Sequence, residues 1–69
     1  MVRFKLGELL EKSGKTRYWL SQATGSSYDV LDNIINNTNA SIYISTIDKI
    51  MEAFELEDIR DFMEYTKTN

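Results

Sequence analysis

Cysteine, histidine and proline are all absent from this chain, and each absence excludes a class of structure or chemistry. Without cysteine there is no disulfide framework and no thiolate chemistry, which leaves a reducing cytoplasmic compartment as the default. Without histidine, most zinc sites and the commonest general base are missing. Because no proline interrupts an interior pattern, continuous helices are favoured. Apolar runs are only a few residues long, so the sequence predicts neither a membrane span nor a signal peptide.

Length and composition predict one small globular domain over residues 1–69. The chain is 42% hydrophobic and 28% charged, which is ordinary for a soluble protein and unlike a disordered tail. A domain of this size buries only about 60% of its unfolded surface, so its stability is expected to be modest.

Charge is distributed unevenly along the chain. The net charge of −3 argues mildly against a nucleic-acid partner. Residues 1–20, however, hold five lysines and arginines against two acidic residues, whereas residues 45–69 hold three against seven. The start of the chain is therefore basic and its end is acidic.

The first three helices are predicted from a leucine stripe, a glycine stop and two N-caps. The first helix is expected over about 4–13, with Gly14 at its C-terminal stop. The second begins at an N-cap threonine, Thr16, and ends near Thr24. The third follows over about 27–36, and either Ser26 or Ser27 can cap its N-terminus.

Two further helices are predicted after a break of turn-prone asparagines at 36–39. Residues 40–44 are expected to form an extended loop, and a capping box of Ser45 and Asp48 is expected to start the fourth helix. A fifth helix is expected over about 57–65, which completes a compact all-α, five-helix bundle. The predicted core consists of Leu6, Leu9, Leu10, Leu20, Leu31, Ile34, Ile47, Ile50, Phe54 and Phe62.

Two short helical patterns lie on either side of Gly25, which fits the left-handed residue that ends the first of them. Leu20, Ala23 and Thr24 share the inner face of that first helix. The second helix has a polar arc and an aliphatic arc, the latter made of Val30, Leu31, Ile34 and Ile35. A helix, a tight glycine turn and a helix with an outward polar face predict a helix-turn-helix over about 16–36.

The order Leu20-Ser21, Gly25, Leu31 and Ile34 resembles the helix-turn-helix of Cro and lambda-repressor-like proteins. That family has Leu-Ala, a glycine four residues after the alanine, and aliphatic residues ten and thirteen after it. The resemblance extends over nearly the whole chain and implies a lambda-repressor-like DNA-binding domain of phage or bacterial origin.

The sequence departs from the family pattern at two positions in the motif. Ser21 replaces the small alanine at the helix crossing, and serine is also small. Ser26 stands where an apolar turn residue is usual, which is expected to remove a core contact.

The resemblance implies that the third helix reads bases in the major groove. Asn33 suits a bidentate bond to adenine, and Asp29 or Asp32 can accept from cytosine. The alternative is a plain solvated face, because this helix carries no lysine or arginine and its carboxylates repel phosphates. The candidate DNA-binding residues are Ser26, Ser27, Tyr28, Asp29, Asp32, Asn33 and Asn36.

Phosphate contacts are implied at the start of the second helix, from Lys15, Thr16 and Arg17. Other cations of the first twenty residues, namely Arg3, Lys5 and Lys12, are candidates to extend this patch. The alternative is that all of these cations are scattered solvent charges.

Aromatic and aliphatic residues outside the motif have two interpretations. Phe4, Tyr18 and Trp19 are expected to pack in the core and not to stack on bases. Ile44 is expected to pin the 40–44 loop to the core, which leaves Ile42 or Tyr43 exposed as a partner surface. The alternative is a loop that folds over the third and fourth helices.

Two functions follow from these features. The first is a small DNA-binding transcription regulator, whose partner is double-stranded DNA and which acts as a homodimer or with another regulatory protein. The alternative is a protein-interaction module that keeps the helix-turn-helix fold and does not bind DNA. No catalytic residue, cofactor or metal ligand is predicted, since the acidic residues near the end have no suitable neighbours. The chain is therefore not expected to be an enzyme.

Overall fold

The computed structural model describes residues 1–38 and 41–67, which form four α-helices, one 3-10 helix and a two-stranded sheet. In chain order the elements are β1 (Val2–Phe4), α1 (Leu6–Ser13), α2 (Arg17–Thr24), α3 (Tyr28–Asn36), α4 (Ile44–Ala53), the 3-10 helix (Ile59–Asp61) and β2 (Met63–Tyr65). Two residues of the predicted turn and loop between α3 and α4, Asn39 and Ala40, lie outside the described residues. Among the described helices, none has the length and apolar character needed to cross a membrane.

Local signals account for the ends of α2 and α3. The hydroxyl of Thr16 accepts a hydrogen bond from the backbone N–H of Trp19 at 3.0 Å, which confirms it as the N-cap of α2. Ser27, and not Ser26, caps α3. Gly25 lies between the two helices in the left-handed region, with φ of 72°. The predicted helix-turn-helix is therefore present.

One hydrophobic core joins all four helices and the C-terminal segment. Its buried members are Leu6, Leu10, Leu20, Leu31, Ile34, Ile50 and Phe62. Leu9, Ile47 and Phe54 are half-buried and pack against them, so every predicted core residue lies in this cluster. Two residues that were predicted to face inward lie outside this cluster: Ala23 is exposed and Val30 is 40% exposed.

The predicted fifth helix is wrong. Residues 59–61 make a single 3-10 turn, in which the Asp58 side chain accepts from the backbone N–H of Arg60 at 2.8 Å. The chain then pairs as β2 with β1 in antiparallel register, with Arg3 opposite Glu64 and Phe4 opposite Met63. The helical spacing of apolar residues near the end was overridden by this pairing with the distant N-terminus. For the same reason α1 begins at Leu6 and not near Phe4.

The predicted capping box of α4 is also wrong. The helix begins at Ile44, its N-cap is Tyr43, and that cap makes no side-chain hydrogen bond. Ser45 therefore lies inside the helix. Ile44 is 76% exposed and does not pin the loop, because Ile42 is the residue that packs against the core.

The aromatic residues divide between core and surface. Trp19 packs edge-on against Phe54, and Phe4 packs against Phe62, with ring centroids 5.3 Å apart in each pair. Tyr18 is 63% exposed, so the expectation that it packs in the core is wrong. Tyr18 and Trp19 are successive residues of α2, so their side chains point in different directions, and Trp19 contacts Phe54 at the end of α4.

Asn37 connects the end of α3 to the sheet. It adopts a left-handed conformation with φ of 55°, which ends the helix. Its side-chain amide then bonds the backbone of Phe4 twice, accepting from the N–H at 2.6 Å and donating to the C=O at 3.0 Å. The helix-turn-helix is thereby tied to the first strand.

Candidate nucleic-acid interface

The turn that leads into α3 is held by hydrogen bonds between α2 and Ser26. The backbone N–H of Ser26 donates to the buried Thr24 hydroxyl at 3.2 Å, and its C=O accepts from the Ser21 hydroxyl at 2.9 Å. Ser21 and Ser26, the two residues that depart from the family pattern, therefore both take part in the hydrogen bonds of this turn. Ser27 is exposed and its hydroxyl accepts from the N–H of Val30 at 3.3 Å.

The polar arc of α3 faces away from the core. Leu31 and Ile34 are buried on the opposite side, with 0% and 4% of their surfaces exposed. Of the candidate DNA-binding residues on the helix, Tyr28, Asp29, Asn33 and Asn36 are exposed and Asp32 is half-buried. This face is available to a partner along its length.

Arg17 at the start of α2 is joined to two residues of α3. Its Nη1 donates to both carboxylate oxygens of Asp32, at 2.8 and 2.7 Å. Its guanidinium carbon lies 4.4 Å from the centroid of the Tyr28 ring, a cation–π arrangement. Hydrogen bonding to the Asp32 carboxylate raises the pKa of Arg17 above its ordinary value. A candidate phosphate contact and two candidate base readers thus form one cluster.

Lys15 and Thr16 lie beside this cluster, just before α2. The ammonium of Lys15 lies 5.0 Å from the centroid of the Trp19 ring, and the residue is exposed. Within the described chain, Lys15 makes no salt bridge, so its charge is not neutralised by a direct partner. The Thr16 hydroxyl already accepts the capping bond of α2.

Two of the other N-terminal cations turn toward the C-terminal segment. Arg3 donates to Glu64 at 2.8 Å and also to Glu8. These bonds raise the pKa of Arg3 and hold the pKa of the Glu8 carboxyl below its usual value. Lys5 donates to the backbone C=O of Arg60 at 2.9 Å. The basic first twenty residues therefore do not form one free cationic patch.

Asn33 is an exposed residue of α3 whose side-chain amide has a hydrogen-bond partner. Its Oδ1 accepts from the Thr38 hydroxyl at 3.2 Å, which sets the side chain's orientation. The side-chain amide nitrogen of Asn33 donates to no described residue, so this donor is available for an external acceptor. A base edge that accepts a hydrogen bond suits this group.

The predicted partner surface is divided by the structure. Ile42 is half-buried and belongs to the core, whereas Tyr43 is 81% exposed and the adjoining Ile44 is 76% exposed. The exposed apolar pair at the start of α4 is therefore Tyr43 and Ile44.

A bonded turn, a polar outward helix and cations at the start of the preceding helix define a helix-turn-helix protein of the DNA-binding type. The Cro/C1-type HTH DNA-binding domain family matches residues 5–68, and the chain belongs to that family. Comparison with curated proteins and with solved structures produced no significant match.

Sequence reasoning did not anticipate the Arg17–Asp32 contact. The two residues are 15 positions apart and lie on different helices. Only the crossing of α2 over α3 brings them together. The available signal was their opposite charge on the two helices of a predicted helix-turn-helix, and opposite charge alone does not identify two residues as a contacting pair.

Proposed function

We propose that this protein is a transcription regulator that places α3 in the major groove of double-stranded DNA. In this arrangement the start of α2, with Lys15, Thr16 and Arg17, lies on the phosphate backbone. The observation that carries the proposal is the exposed polar face of α3 beside the α2 N-terminus, in a chain of a DNA-binding family. Such a regulator acts by occupying an operator and blocking or recruiting polymerase.

Recognition is divided between the two helices. Asn33 supplies base discrimination, with Tyr28, Asp29 and Asn36 beside it on the same exposed face. Ser27 sits at the helix start, where a phosphate or a base edge is within reach. Ser26 is half-buried in the turn and contributes by holding α3 in place. Lys15 and Arg17 supply sequence-independent attraction.

The test is a fluorescence anisotropy titration of mixed genomic fragments at low salt. Arg17→Ala or Lys15→Ala should weaken binding to all sequences alike, because each removes a phosphate contact. Each should also flatten the salt dependence by about one unit of slope. Asn33→Ala should instead cost about 1–3 kcal/mol at a preferred site only.

Lys49→Ala is the matched control, since it removes an exposed lysine from α4, outside the proposed interface. It should leave the salt slope close to that of the native chain. A native chain that binds no fragment at low salt rules out the regulator function in this form.

A homodimer is part of the proposal. One copy offers few unneutralised cations near α3, so a single domain should bind DNA weakly. Two copies related by a two-fold axis would place two α3 helices on half-sites about one helical turn apart. The exposed Tyr43 and Ile44 are the apolar side chains proposed to join the copies.

The second candidate function is a protein-interaction module that retains the fold without binding DNA. Two observations favour it: α3 has no lysine or arginine, and Asp32 already neutralises Arg17. In that case Tyr43 and Ile44 would contact another regulatory protein. Failure of the native chain to bind DNA, together with a partner recovered through Tyr43, would support this alternative.

A further inference from the structure

Arg17, Tyr28 and Asp32 form a three-residue cluster that links α2 to α3. Both oxygens of Asp32 accept from a single guanidinium nitrogen, Nη1, at 2.8 and 2.7 Å. The guanidinium also lies over the Tyr28 ring, at 4.4 Å from its centroid. The salt bridge sets the direction of the side chain, and the aromatic face restricts the plane of the guanidinium.

This arrangement leaves one edge of the guanidinium unused. In residues 1–38 and 41–67, no acceptor bonds the Nε or Nη2 of Arg17. Those two nitrogens present parallel N–H groups, the geometry that binds two oxygens of a phosphate. The Arg17 side chain is 47% exposed, so a phosphate can approach it.

We propose that Asp32 is a positioning residue, which orients Arg17 toward a DNA phosphate and does not read a base. The proposal rests on the DNA-binding function proposed above. A long side chain that binds from a free state loses rotamer freedom, and this loss weakens binding. Arg17 is already held by Asp32 and Tyr28, so its side chain loses less rotamer freedom when it binds a phosphate. The Asp32 charge lowers the general attraction to DNA, whereas the cluster improves the placement of one contact.

Asp29 provides a matched control for the charge of Asp32. Both are acidic residues of α3, and within the described chain Asp29 makes no hydrogen bond or salt bridge. Asp29→Asn should raise DNA affinity about threefold at low salt, because it removes one repulsive charge. Asp32→Asn removes the same charge but also frees Arg17. Its affinity should therefore lie about three- to tenfold below that of Asp29→Asn.

An Arg17→Ala background separates positioning from charge. In that background Asp29→Asn and Asp32→Asn should have equal effects, because there is no guanidinium left to orient. Equal effects in the native background would overturn the proposal and leave Asp32 as a simple charge. A change of preference at one base pair in Asp32→Asn would overturn it in favour of base reading.

A second measurement needs no DNA. The heteronuclear NOE of the Arg17 Nε–H group should be high in the native chain and in Asp29→Asn, and should fall in Asp32→Asn. A native chain that binds DNA with a mobile Arg17 side chain overturns the positioning role alone. A native chain that binds no DNA overturns the proposed function, and the role of Asp32 within it.

Discussion

Single side chains determine where the helices of the motif begin and end. Thr16 and Ser27 each accept a backbone N–H with a hydroxyl, and Gly25 takes the left-handed turn between them. Asn37 ends α3 with a second left-handed turn and bonds the first strand. At this scale a substitution either creates a cavity, removes a bond or changes only the solvent-facing surface.

Leu31→Ala tests the orientation of α3. Leu31 is completely buried, so its truncation leaves a cavity and should lower the free energy of unfolding by about 2–5 kcal/mol. Asn33→Ala, on the exposed side of the same helix, should change it by less than about 0.5 kcal/mol. Urea unfolding followed by circular dichroism measures both. Equal losses for the two substitutions would show that α3 faces another way.

Asn37 stabilises the fold through its left-handed backbone conformation and through its side-chain hydrogen bonds to Phe4. Two substitutions separate these contributions. Asn37→Gly keeps the left-handed turn and loses both bonds to Phe4, so about 1–2 kcal/mol of stability should be lost. Asn37→Ala loses the bonds and also forces a Cβ into the left-handed region, which should cost about 1 kcal/mol more. Thermal unfolding provides the comparison. Equal stability of the glycine and alanine variants would contradict the assigned turn.

Among the elements, the pairing of β1 with β2 distinguishes this domain from a purely helical bundle. It places the two ends of the described chain side by side and covers Phe62 with Phe4. The segment before β2 turns on Asp58, whose carboxylate bonds the side chain and the backbone N–H of Arg60. This one-turn helix, and not a fifth α-helix, directs the chain into the strand.

The Asp58 turn predicts a specific pH dependence. Hydrogen bonds from the Arg60 side chain, and then from its backbone, lower the pKa of Asp58 from 3.8 to about 2. Because the pKa of the folded chain lies below that of the unfolded chain, the stabilisation is present above pH 3.8 and is lost as pH falls through about 2. Carbon-detected NMR titration of the Asp58 carboxyl should therefore give a midpoint near 2.

Arg60→Gln is the control for that titration. It removes the charged side-chain donor and keeps the backbone N–H of residue 60, so the midpoint should move upward toward the ordinary value without reaching it. An unchanged midpoint would show that the Arg60 side chain does not hold the carboxylate. The side chain of Arg60 is 86% exposed and that of Asp58 is 42% exposed. The effect of Arg60→Gln on the free energy of unfolding should therefore be small.

For the whole molecule, the balance of charge decides how strongly one copy can hold DNA. Arg3 is paired with Glu8 and Glu64, and Arg17 is paired with Asp32. The basic character predicted for residues 1–20 is therefore partly neutralised in the fold. Lys5, Lys12 and Lys15 make no salt bridge in the described chain, and of these three only Lys15 directly precedes α2. Such a small number of unpaired cations predicts weak binding of DNA by one copy.

Association through Tyr43 is the corresponding prediction. If Tyr43 and Ile44 join two copies, Tyr43→Asp should lower the apparent mass in light scattering toward that of a monomer, because a charge cannot be buried there. Helicity should be unchanged, since Tyr43 is 81% exposed. Tyr18→Asp, at another exposed tyrosine, should leave the mass as it is. A native chain that is monomeric at all concentrations would contradict this interface.

The helix-turn-helix could be predicted because its signals are local. Capping hydroxyls act on backbone groups three residues away, as Thr16 does on Trp19, and Gly25 ends a helix by its own backbone conformation. The spacing of Leu20, Leu31 and Ile34 shows which sides face inward. These signals were sufficient for the motif, the predicted core residues and the exposed polar face of α3, whereas Tyr18, Ala23 and Val30 were wrongly expected to face inward.

Contacts between distant residues were decided only by the tertiary structure. Residues Met63–Tyr65 form a strand because they pair with Val2–Phe4. The paired residues Arg3 and Glu64 are 61 positions apart in the sequence. Asn37 reached the backbone of Phe4 across 33 positions. Arg17 met Asp32 because α2 and α3 cross at that point. Each of these contacts depends on where whole elements pack, and a local pattern of residues contains no information about that position.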